Sequence, residues 1–367
     1  MARPRIVVLG GAGDMGYRAV KELVASKEAE VVVADFRIDR ARKLAAELNP
    51  PPEVQFVDAN SRQSLLQALE GATVAVNCIG PFYRYADKVL PAVIAAGVDY
   101  VDICDDDDAT VKLLSFDGLA RKRGVTAVIG MGWTPGISNL LARRGADRLD
   151  EVTDIDITWV GSTADSEGQA VIAHVIHAIT RDVPIYREGE WVNAPAMSGV
   201  KEVDFPPPIG RVKAYYTGHP EPVTIPRFID GVQNVTLRGY LLPDDIQSLS
   251  RGLVDLDLVS TEKKVNAMVG LLQPMLPLLS RMGTTAAPAI SGLRVDVSGF
   301  KNGQPARYSF VTEDTMDRLT GIPPAVTALL LANGEFRQPG VVAPEGGLPV
   351  EAILARLAAR DIEIEEV

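Results

Sequence analysis

Three glycines within residues 11–16 (GAGDMG) have the spacing GxGxxG, between a short β-branched run and a stretch with helical spacing. In such a turn the first glycine permits a tight bend, the second lets a pyrophosphate approach the backbone, and the third allows close helix–strand packing. Free N–H groups at the helix start favour the phosphate charge. The motif predicts a dinucleotide site at Gly11, Gly13, Asp14, Met15 and Gly16; the alternative is a packing turn without a ligand.

An acidic residue ends the second apolar run, at about the distance from the glycines expected for a ribose ligand. Asp35 would accept a hydrogen bond from a free 2′-hydroxyl and repel a 2′-phosphate, so it favours NAD. Arg37 and Arg40 follow closely and could instead pair with the phosphate of NADP. The alternative for both arginines is a solvated helix start. NAD is therefore favoured, and NADP stays open.

Polar residues and a turn follow the fourth and fifth apolar runs. Asn77, Gly80 and Pro81 lie where the fourth run ends, and the backbone there could approach the cofactor or form a simple turn. Asp102 ends the fifth run, where a carboxylate could contact the cofactor, hold a substrate ammonium or accept its proton. Ligands of open parallel sheets bind at the carboxyl ends of the strands, so we expect both segments at that edge.

Two histidines, His174 and His177, have i, i+3 spacing on a predicted helix and can share one face. A metal site would need further ligands, and the neighbouring sequence offers no cysteine or histidine cluster. We therefore predict no metal, and structural or substrate-facing histidines.

The segments that position these residues show two different patterns along the chain, one up to about residue 130 and another beyond it. Over residues 1–130, six short β-branched runs alternate with helical spacing, which predicts a doubly wound parallel sheet, the Rossmann fold. The runs are residues 6–9, 31–34, 54–57, 74–79, 100–103 and 125–129, and the helical stretches are residues 15–25, 40–48, 61–69, 85–96 and 109–122. A further helix is predicted to start at Thr134 and Pro135, an N-cap and first-turn pair.

Beyond that helix, strand-like segments are separated by turn residues, which predicts a second α+β domain on a mostly antiparallel sheet. We expect a dinucleotide-binding domain over residues 1–133 and a substrate and dimerisation domain over residues 134–323. The C-terminal helices, residues 324–367, are expected to return to the first domain.

The composition excludes several classes of protein. The chain has 367 residues, 47% hydrophobic and 23% charged, as expected for a globular protein of about two domains. Its net charge of -11 argues against nucleic-acid and anionic-membrane partners. The two cysteines form no CxxC pair, and the chain enters a strand at once without a leader pattern. We expect a cytoplasmic enzyme acting on a small molecule.

Three segments resemble the saccharopine dehydrogenase-like oxidoreductases. They are the glycine motif with residues 77–82 and 100–102, residues 130–141 (GMGWTPGISNLL) and residues 340–345 (GVVAPE). The resemblance implies that Trp133 contacts a nicotinamide cofactor, that Thr134 contacts the substrate, and that the family members form homodimers. It also implies that Arg238 holds a substrate carboxylate, as a guanidinium does well; the alternative is a structural ion pair between strands.

The residues and the resemblance together predict an NAD(P)-dependent oxidoreductase acting on the C–N bond of an amino acid or an opine-like secondary amine. Within the family, the chain looks most like L-lysine 6-dehydrogenases and saccharopine reductases. Oxidation needs a neutral amine, so a base must take a proton: Asp102 or a bound water first, then His177 or Tyr215. Two alternatives are open, a saccharopine-type reductase joining an aldehyde and an amino acid, and a NAD(P)-binding sensor without catalysis.

Overall fold

The computed structural model describes residues 3–162, 164–165, 169–256, 258–259, 261–272 and 289–367. The chain divides into two compact units. The first unit comprises Met1–Ile137 and Asp317–Asp361, and the second comprises Ser138–Met316 and Ile362–Val367. None of the described helices combines the length and the apolar character needed to cross a bilayer.

A sheet of seven parallel strands forms the centre of the first unit. The strands are β1 (Arg5–Leu9), β2 (Glu30–Asp35), β3 (Glu53–Phe56), β4 (Val74–Asn77), β5 (Asp99–Asp102), β6 (Thr126–Val128) and β15 (Gly340–Val342). Their spatial order, β15-β6-β5-β4-β1-β2-β3, confirms the predicted doubly wound sheet. The seventh strand, β15, was not predicted; it comes from the C-terminal segment and pairs with β6.

Helices of the first unit follow most strands. They are α1 (Asp14–Ser26), α2 (Ile38–Ala46), α3 (Arg62–Ala68), α4 (Phe82–Ala96), α5 (Asp107–Leu114), α6 (Asp117–Arg123), α12 (Met316–Ala332, all but its first residue) and α13 (Val350–Ala358). The prediction of one helix over residues 109–122 is wrong. The Ser115 hydroxyl donates to the carbonyl of Lys112 at 2.6 Å, and such a side-chain bond competes with continuation of the helix.

The core of the first unit explains why apolar and polar residues do not alternate along its strands, as they do in a sheet with one exposed face. Residues 6–9 of β1 and 74–76 of β4 are fully buried. A parallel sheet with helices on both faces buries both sets of side chains, so its strands are continuous runs of Val, Ile and Leu. The polar residues of these strands therefore concentrate where the strands end.

The described residues of the second unit contain nine strands in one sheet. They are β7 (Glu151–Ser162), β8 (Asp182–Arg187), β9 (Glu190–Pro195), β10 (Lys201–Asp204), β11 (Arg211–Tyr216), β12 (Asn234–Leu242), β13 (Ser291–Lys301), β14 (Gln304–Asp314) and β16 (Glu365–Glu366). The main order is β10-β11-β12-β7-β13-β14-β16, with β8 paired to β12 and β9. Only β7 and β12 run parallel among the described pairs, which confirms the mostly antiparallel prediction.

The described helices of the second unit are α7 (Ile137–Ala146, from Ser138 on), α8 (Gln169–Ile179), α9 (Glu221–Phe228), α10 (Asp244–Asp255) and α11 (Glu262–Leu272). The prediction that a helix starts at Thr134 and Pro135 is wrong, because both residues lie in a turn and α7 begins at Ile137. The sequence did not indicate α9, since Pro222 and Pro226 resemble helix breakers.

Candidate functional site

The glycine-rich turn between β1 and α1 has the shape that a pyrophosphate needs. A Cβ at Gly16 would lie 2.3 Å from the carbonyl oxygen of Gly10, and one at Gly11 would lie 2.9 Å from Cγ1 of Val33. Both glycines are therefore required for close packing. Gly13 differs, because a Cβ there would meet only the Gly10 oxygen, at 3.3 Å. No side chain of the described residues caps the start of α1 at Gly13, which leaves the helix N-terminus suited to an anion.

Two predicted cofactor residues, Asp14 and Met15, form the first turn of α1 directly after Gly13. Asp14 accepts a hydrogen bond from Arg40 at 3.1 Å, and both side chains are exposed. This surface ion pair gives Arg40 a partner within the chain, which agrees with a solvated helix start. Met15 packs at the margin of the apolar core.

The carboxylate of Asp35, at the end of β2, is held beside the glycine turn. Its Oδ2 accepts the backbone N–H of Ala12 at 2.9 Å, and its Oδ1 accepts the backbone N–H of Arg37 at 2.8 Å. The side chain of Arg37 is 57% exposed, with Nε 3.8 Å from Asp35. These two hydrogen bonds hold the carboxylate next to the start of α1, the position expected from the sequence for a ribose ligand.

The ends of β4 and β5 are joined by a buried chain of hydrogen bonds. Asn77 Nδ2 donates to the hydroxyl of Tyr100 at 2.9 Å, and that hydroxyl donates to Asp102 Oδ2 at 2.8 Å. Asp102 Oδ1 also accepts the backbone N–H groups of Cys104 at 3.0 Å and Gly130 at 2.7 Å. Burial raises the pKa of Asp102 to about 6, although these bonds act in the opposite direction. Both carboxylate oxygens therefore have donors within the protein.

The segment after β4 lies against the glycine turn. Gly10 has φ of +77°, and a Cβ there would lie 2.9 Å from the backbone of Cys78. The Ile79 N–H donates to Asn77 Oδ1 at 3.1 Å, and Gly80 leads into Pro81, the residue that precedes α4. The predicted Asn77, Gly80 and Pro81 thus belong to the segment whose residues Cys78 and Ile79 lie against Gly10 of the glycine turn.

The segment that contains Trp133 and Thr134 is a compact turn, and both side chains are buried. The Gly132 N–H donates to the carbonyl of Pro135 at 2.8 Å. Gly136 has φ of +131°, and a Cβ there would lie 2.0 Å from the Gly132 oxygen, so no other residue fits. The backbone N–H of Met131 donates to the carbonyl of Asp102 at 2.7 Å, which ties this turn to the end of β5.

Arg238, on β12 of the second unit, is surrounded by acceptors of its own unit. Nε donates to the carbonyl of Gly199 (2.7 Å), Nη1 to Asp156 (2.7 Å) and Thr236 (3.0 Å), and Nη2 to the hydroxyl of Tyr216 (3.0 Å). Its guanidinium also lies 4.5 Å from the centre of the Tyr216 ring. This geometry favours the structural ion pair that the sequence left open, rather than a substrate anchor.

Tyr215 and Arg238 do not share a face of the sheet. Tyr216 is paired with Arg238, and Tyr215 is paired with Gly239. Because successive side chains of a strand point to opposite faces, Tyr215 and Arg238 point to opposite faces too. The half-buried Tyr215 ring contacts the guanidinium of Arg251, 5.5 Å from the ring centre. The two predicted residues therefore cannot bind one small substrate together.

On the Gly239 face lies a buried polar cluster, which we call the His174–Glu221 cluster: His174, His219, Glu221 and Ser138. The Nε2 atoms of His174 and His219 are 3.3 Å apart, and His219 Nδ1 is 3.7 Å from Glu221 Oε2. The Ser138 hydroxyl donates to Glu221 Oε1 at 2.7 Å. Burial, with a smaller contribution from His174, lowers the pKa of His219 well below its ordinary value.

The sequence placed neither His219 nor Glu221 among the candidate site residues, because α9 was not recognised and residues 45 apart meet only in the fold. One feature of the sequence indicated close packing at this place: the glycine that follows Arg238. A Cβ at Gly239 would lie 2.2 Å from the indole of Trp159, which in turn lies 5.6 Å from the His219 ring between centroids. The half-buried His177 is three residues from His174 on α8.

A doubly wound sheet with this glycine turn and an acid at the end of its second strand defines a class, the proteins that bind a dinucleotide. Residues 6–128 match the family model described as the saccharopine dehydrogenase NADP binding domain. Residues 132–362 match the saccharopine dehydrogenase C-terminal domain. The chain belongs to the saccharopine dehydrogenase family of NAD(P)-dependent oxidoreductases, which confirms the resemblance, and its cofactor is NAD or NADP.

Two curated relatives cover almost all of the chain. A carboxyaminopropylagmatine dehydrogenase from Synechocystis is 22% identical over 394 residues, covering 98% of this chain and 97% of that protein. A carboxynorspermidine synthase from Vibrio cholerae is 22% identical over 377 residues, covering 90% of this chain and 89% of that protein. A solved saccharopine dehydrogenase (L-Glu forming) from Saccharomyces cerevisiae has a TM-score of 0.73 at 15% identity and covers 99% of this chain and 100% of that one, which shows the fold.

Proposed function

We propose that this protein transfers hydride between NAD(P) and the carbon of a C–N bond in a secondary amine that also carries a carboxylate. Opines and carboxylated polyamines belong to this class. The observation that carries the proposal is the nearly full-length similarity to two proteins whose names denote carboxylated polyamines. L-Lysine, expected from the resemblance within the family, has less support, because neither name refers to it.

The second candidate is the same bond made in the opposite direction, the reductive joining of an aldehyde and an amine. The word synthase in one relative's name favours it. The two candidates use one site and one cofactor, and they differ in the number of organic substrates that turnover requires.

The cofactor has a defined place in this proposal. When bound, the nicotinamide supplies the acceptor or donor of the hydride, and the protein supplies geometry and proton transfer. Gly11, Gly13 and Gly16 would receive the pyrophosphate at the start of α1. Asp35, fixed by two backbone N–H groups, supports NAD over NADP, because a carboxylate repels a 2′-phosphate. Arg37 is the residue through which NADP would be accommodated.

The proton acceptor is assigned to the His174–Glu221 cluster. With two Nε2 atoms 3.3 Å apart, one ring must donate a proton and the other must accept it. The lowered pKa of His219 keeps its ring neutral at pH 7, so the pair offers a ring nitrogen that can accept a proton, as a weaker base than a free histidine. Glu221, which accepts the Ser138 hydroxyl, lies beside the other ring nitrogen of His219, where an ionised carboxylate would stabilise the charged ring.

Asp102 receives a positioning role in this proposal. Three donors already occupy its two oxygens, so it ties the end of β5 to that of β6 directly, and to that of β4 through Tyr100 and Asn77. His177 and Tyr215 stay weaker candidates for the proton acceptor. Trp133 and Thr134 stay proposed contacts of the nicotinamide and the substrate, since their turn is tied to the backbone of Asp102.

A homodimer and a cytoplasmic location also belong to the proposal, and they rest on the family resemblance and the acidic composition. Sedimentation velocity of the purified chain tests the first, with a single species of twice the 39.4 kDa chain mass as the expected result. A monomer at micromolar concentration would contradict it.

The activity is tested by nicotinamide absorbance, with NAD and NADP separately. One panel holds carboxynorspermidine, carboxyaminopropylagmatine, saccharopine and L-lysine; the reverse panel holds aldehyde and amine pairs with the reduced cofactors. We expect kcat/KM to be highest for a carboxylated secondary amine. Turnover with L-lysine alone would contradict the substrate class, and bound cofactor without any turnover would favour the sensor.

A further inference from the structure

Two phenylalanine rings lie exposed next to Asp35. Phe36 is 65% exposed and Phe56 is 51% exposed, and no other phenylalanine that the structure describes is as open to solvent. Their ring centroids are 5.5 Å apart with an angle of 46° between the planes. Leaving two large apolar side chains side by side in water forgoes the free energy of their burial. The pair therefore has the character of a binding surface.

The position of the pair is set by the register of the parallel sheet. Phe56 is the last residue of β3 and is paired directly with Asp35, the last residue of β2. Phe36 follows Asp35 in the chain, and the backbone N–H of Val57 donates to the carbonyl of Asp35 at 3.2 Å. Both rings therefore stand at the carboxyl edge of the sheet, the edge at which ligands of doubly wound domains bind.

We propose that Phe36 and Phe56 form an aromatic platform on which the adenine of the dinucleotide stacks. In adenosine the base is bonded to the carbon next to the one that bears the 2′-hydroxyl. A ribose held by Asp35 therefore presents its adenine within reach of the residues that flank this carboxylate. The platform rests on the dinucleotide assignment and is independent of the amine substrate.

The chemistry of stacking separates this platform from the specificity residue beside it. An aromatic ring attracts the flat face of a base through dispersion and ring electrostatics, at about 1–3 kcal/mol per base. The 2′-position of the ribose takes no part in that contact. Loss of the platform therefore weakens NAD and NADP equally, whereas a change at Asp35 alters the ratio between them.

Calorimetry with cofactor fragments tests the platform without enzyme activity. ADP-ribose carries the adenine and lacks the nicotinamide, and nicotinamide mononucleotide is the reverse. We expect Phe36→Ala and Phe56→Ala each to raise the Kd of ADP-ribose about tenfold, and to leave the mononucleotide unchanged. Phe36→Trp is expected to keep the wild-type Kd. The matched control is Phe300→Ala, an exposed phenylalanine of β13, which should change neither Kd.

Three other results would contradict the platform or the dinucleotide site. An ADP-ribose Kd within twofold of wild type in the Phe36→Ala/Phe56→Ala double variant rules out the platform. A change of sedimentation coefficient with unchanged Kd assigns the pair to a contact with a second copy of the chain. Failure of the wild-type protein to bind ADP-ribose and NAD would instead overturn the dinucleotide site itself. Thermal melting of each variant verifies that it is folded.

Discussion

The two units of the chain place their polar residues in different ways. In the first unit, the glycine turn, Asp35, Asn77 and Asp102 all stand at strand ends of one parallel sheet, and hydrogen bonds join neighbouring ends. In the second unit, Arg238 and Tyr215 come from neighbouring strands and point to opposite faces. One of them is bound into an ion pair, and the other lies against an arginine.

The difference follows from how each sheet is built. A parallel sheet between helices brings all its carboxyl ends to one edge, so a residue at a strand end is at the site whatever its register. In the second sheet, the face of a residue depends on the pairing of strands far apart in sequence, and a shift of one residue reverses it. Residues of the first unit can therefore be assigned from local pattern, and those of the second cannot.

The largest effect is expected in the first unit, at Gly13, the glycine of the turn with the most space around its Cβ position. Gly13→Val is expected to abolish NAD and NADP binding measured by calorimetry, because the side chain occupies the space over the helix start. The melting temperature should be nearly unchanged, since a Cβ there meets only the Gly10 oxygen at 3.3 Å. Gly118→Val, with open space around its Cβ on α6, is the matched control. Tight binding by the Gly13 variant would refute the dinucleotide turn.

The second unit is tested at His219. His219→Gln is expected to lower kcat about a hundredfold and to change the pH dependence of kcat, while the substrate KM stays similar, because a proton acceptor is lost. His177→Gln, on the same helix as His174, is the control and should retain nearly the full rate. If His177→Gln proves to be the slower variant, the proton acceptor is His177 and not the His174–Glu221 cluster.

Substitution of Arg238 tests whether this residue stabilises the second sheet or binds the substrate. Arg238→Ala is expected to lower the free energy of unfolding by about 3 kcal/mol, because several acceptors lose a charged donor at once. The Gly199 carbonyl and the Tyr216 hydroxyl lose their bond from the guanidinium, and Asp156 keeps Lys201 and Thr236 as partners. Urea unfolding of Arg238→Ala, Asp156→Ala and the double variant should give a double variant less destabilised than the sum. Unchanged stability with a strongly raised KM for the carboxylate substrate would restore Arg238 as an anchor.

Asp102 gives the first unit a specific dependence of stability on pH. Its pKa is about 6 in the folded protein and about 3.9 in an unfolded chain, so the folded state binds the proton more tightly. Stability gained from this proton is present below pH 4 and is lost as the pH rises to 6, by up to about 3 kcal/mol. Relative to Asp102→Asn, the wild type should therefore become less stable from pH 4 to pH 6 in urea unfolding. A parallel pH course of both proteins would contradict the raised pKa.

The smallest expected effect concerns the choice of cofactor. Asp35→Asn removes the charge that repels a 2′-phosphate, and we expect the ratio of the Kd values for NADP and NAD to fall about tenfold, equivalent to about 1.4 kcal/mol. The ratio is measured by calorimetry, with Arg37→Ala as a control that should shift it in the opposite direction. A ratio unaffected by both changes would remove the ribose contact from residues 35–37.

The sequence by itself determined the class of the first unit, its strand order along the chain and its glycine turn, because each of these depends on residues close in sequence. It also indicated the family, through the glycine motif and two other short segments, residues 130–141 and 340–345. The sequence did not predict two local features. A break near Ser115 divides residues 109–122 between two helices, and a turn precedes α7, which begins at Ile137.

The tertiary structure decided everything that depends on contacts between distant segments. It paired Arg238 with Asp156, brought His219 to His174, and stood Phe36 beside Phe56. In each case the partners are separated by 20 to 82 residues, so their meeting depends on strand register and helix packing. Local preferences select strands and helices, whereas the burial of many side chains at once selects which of them touch.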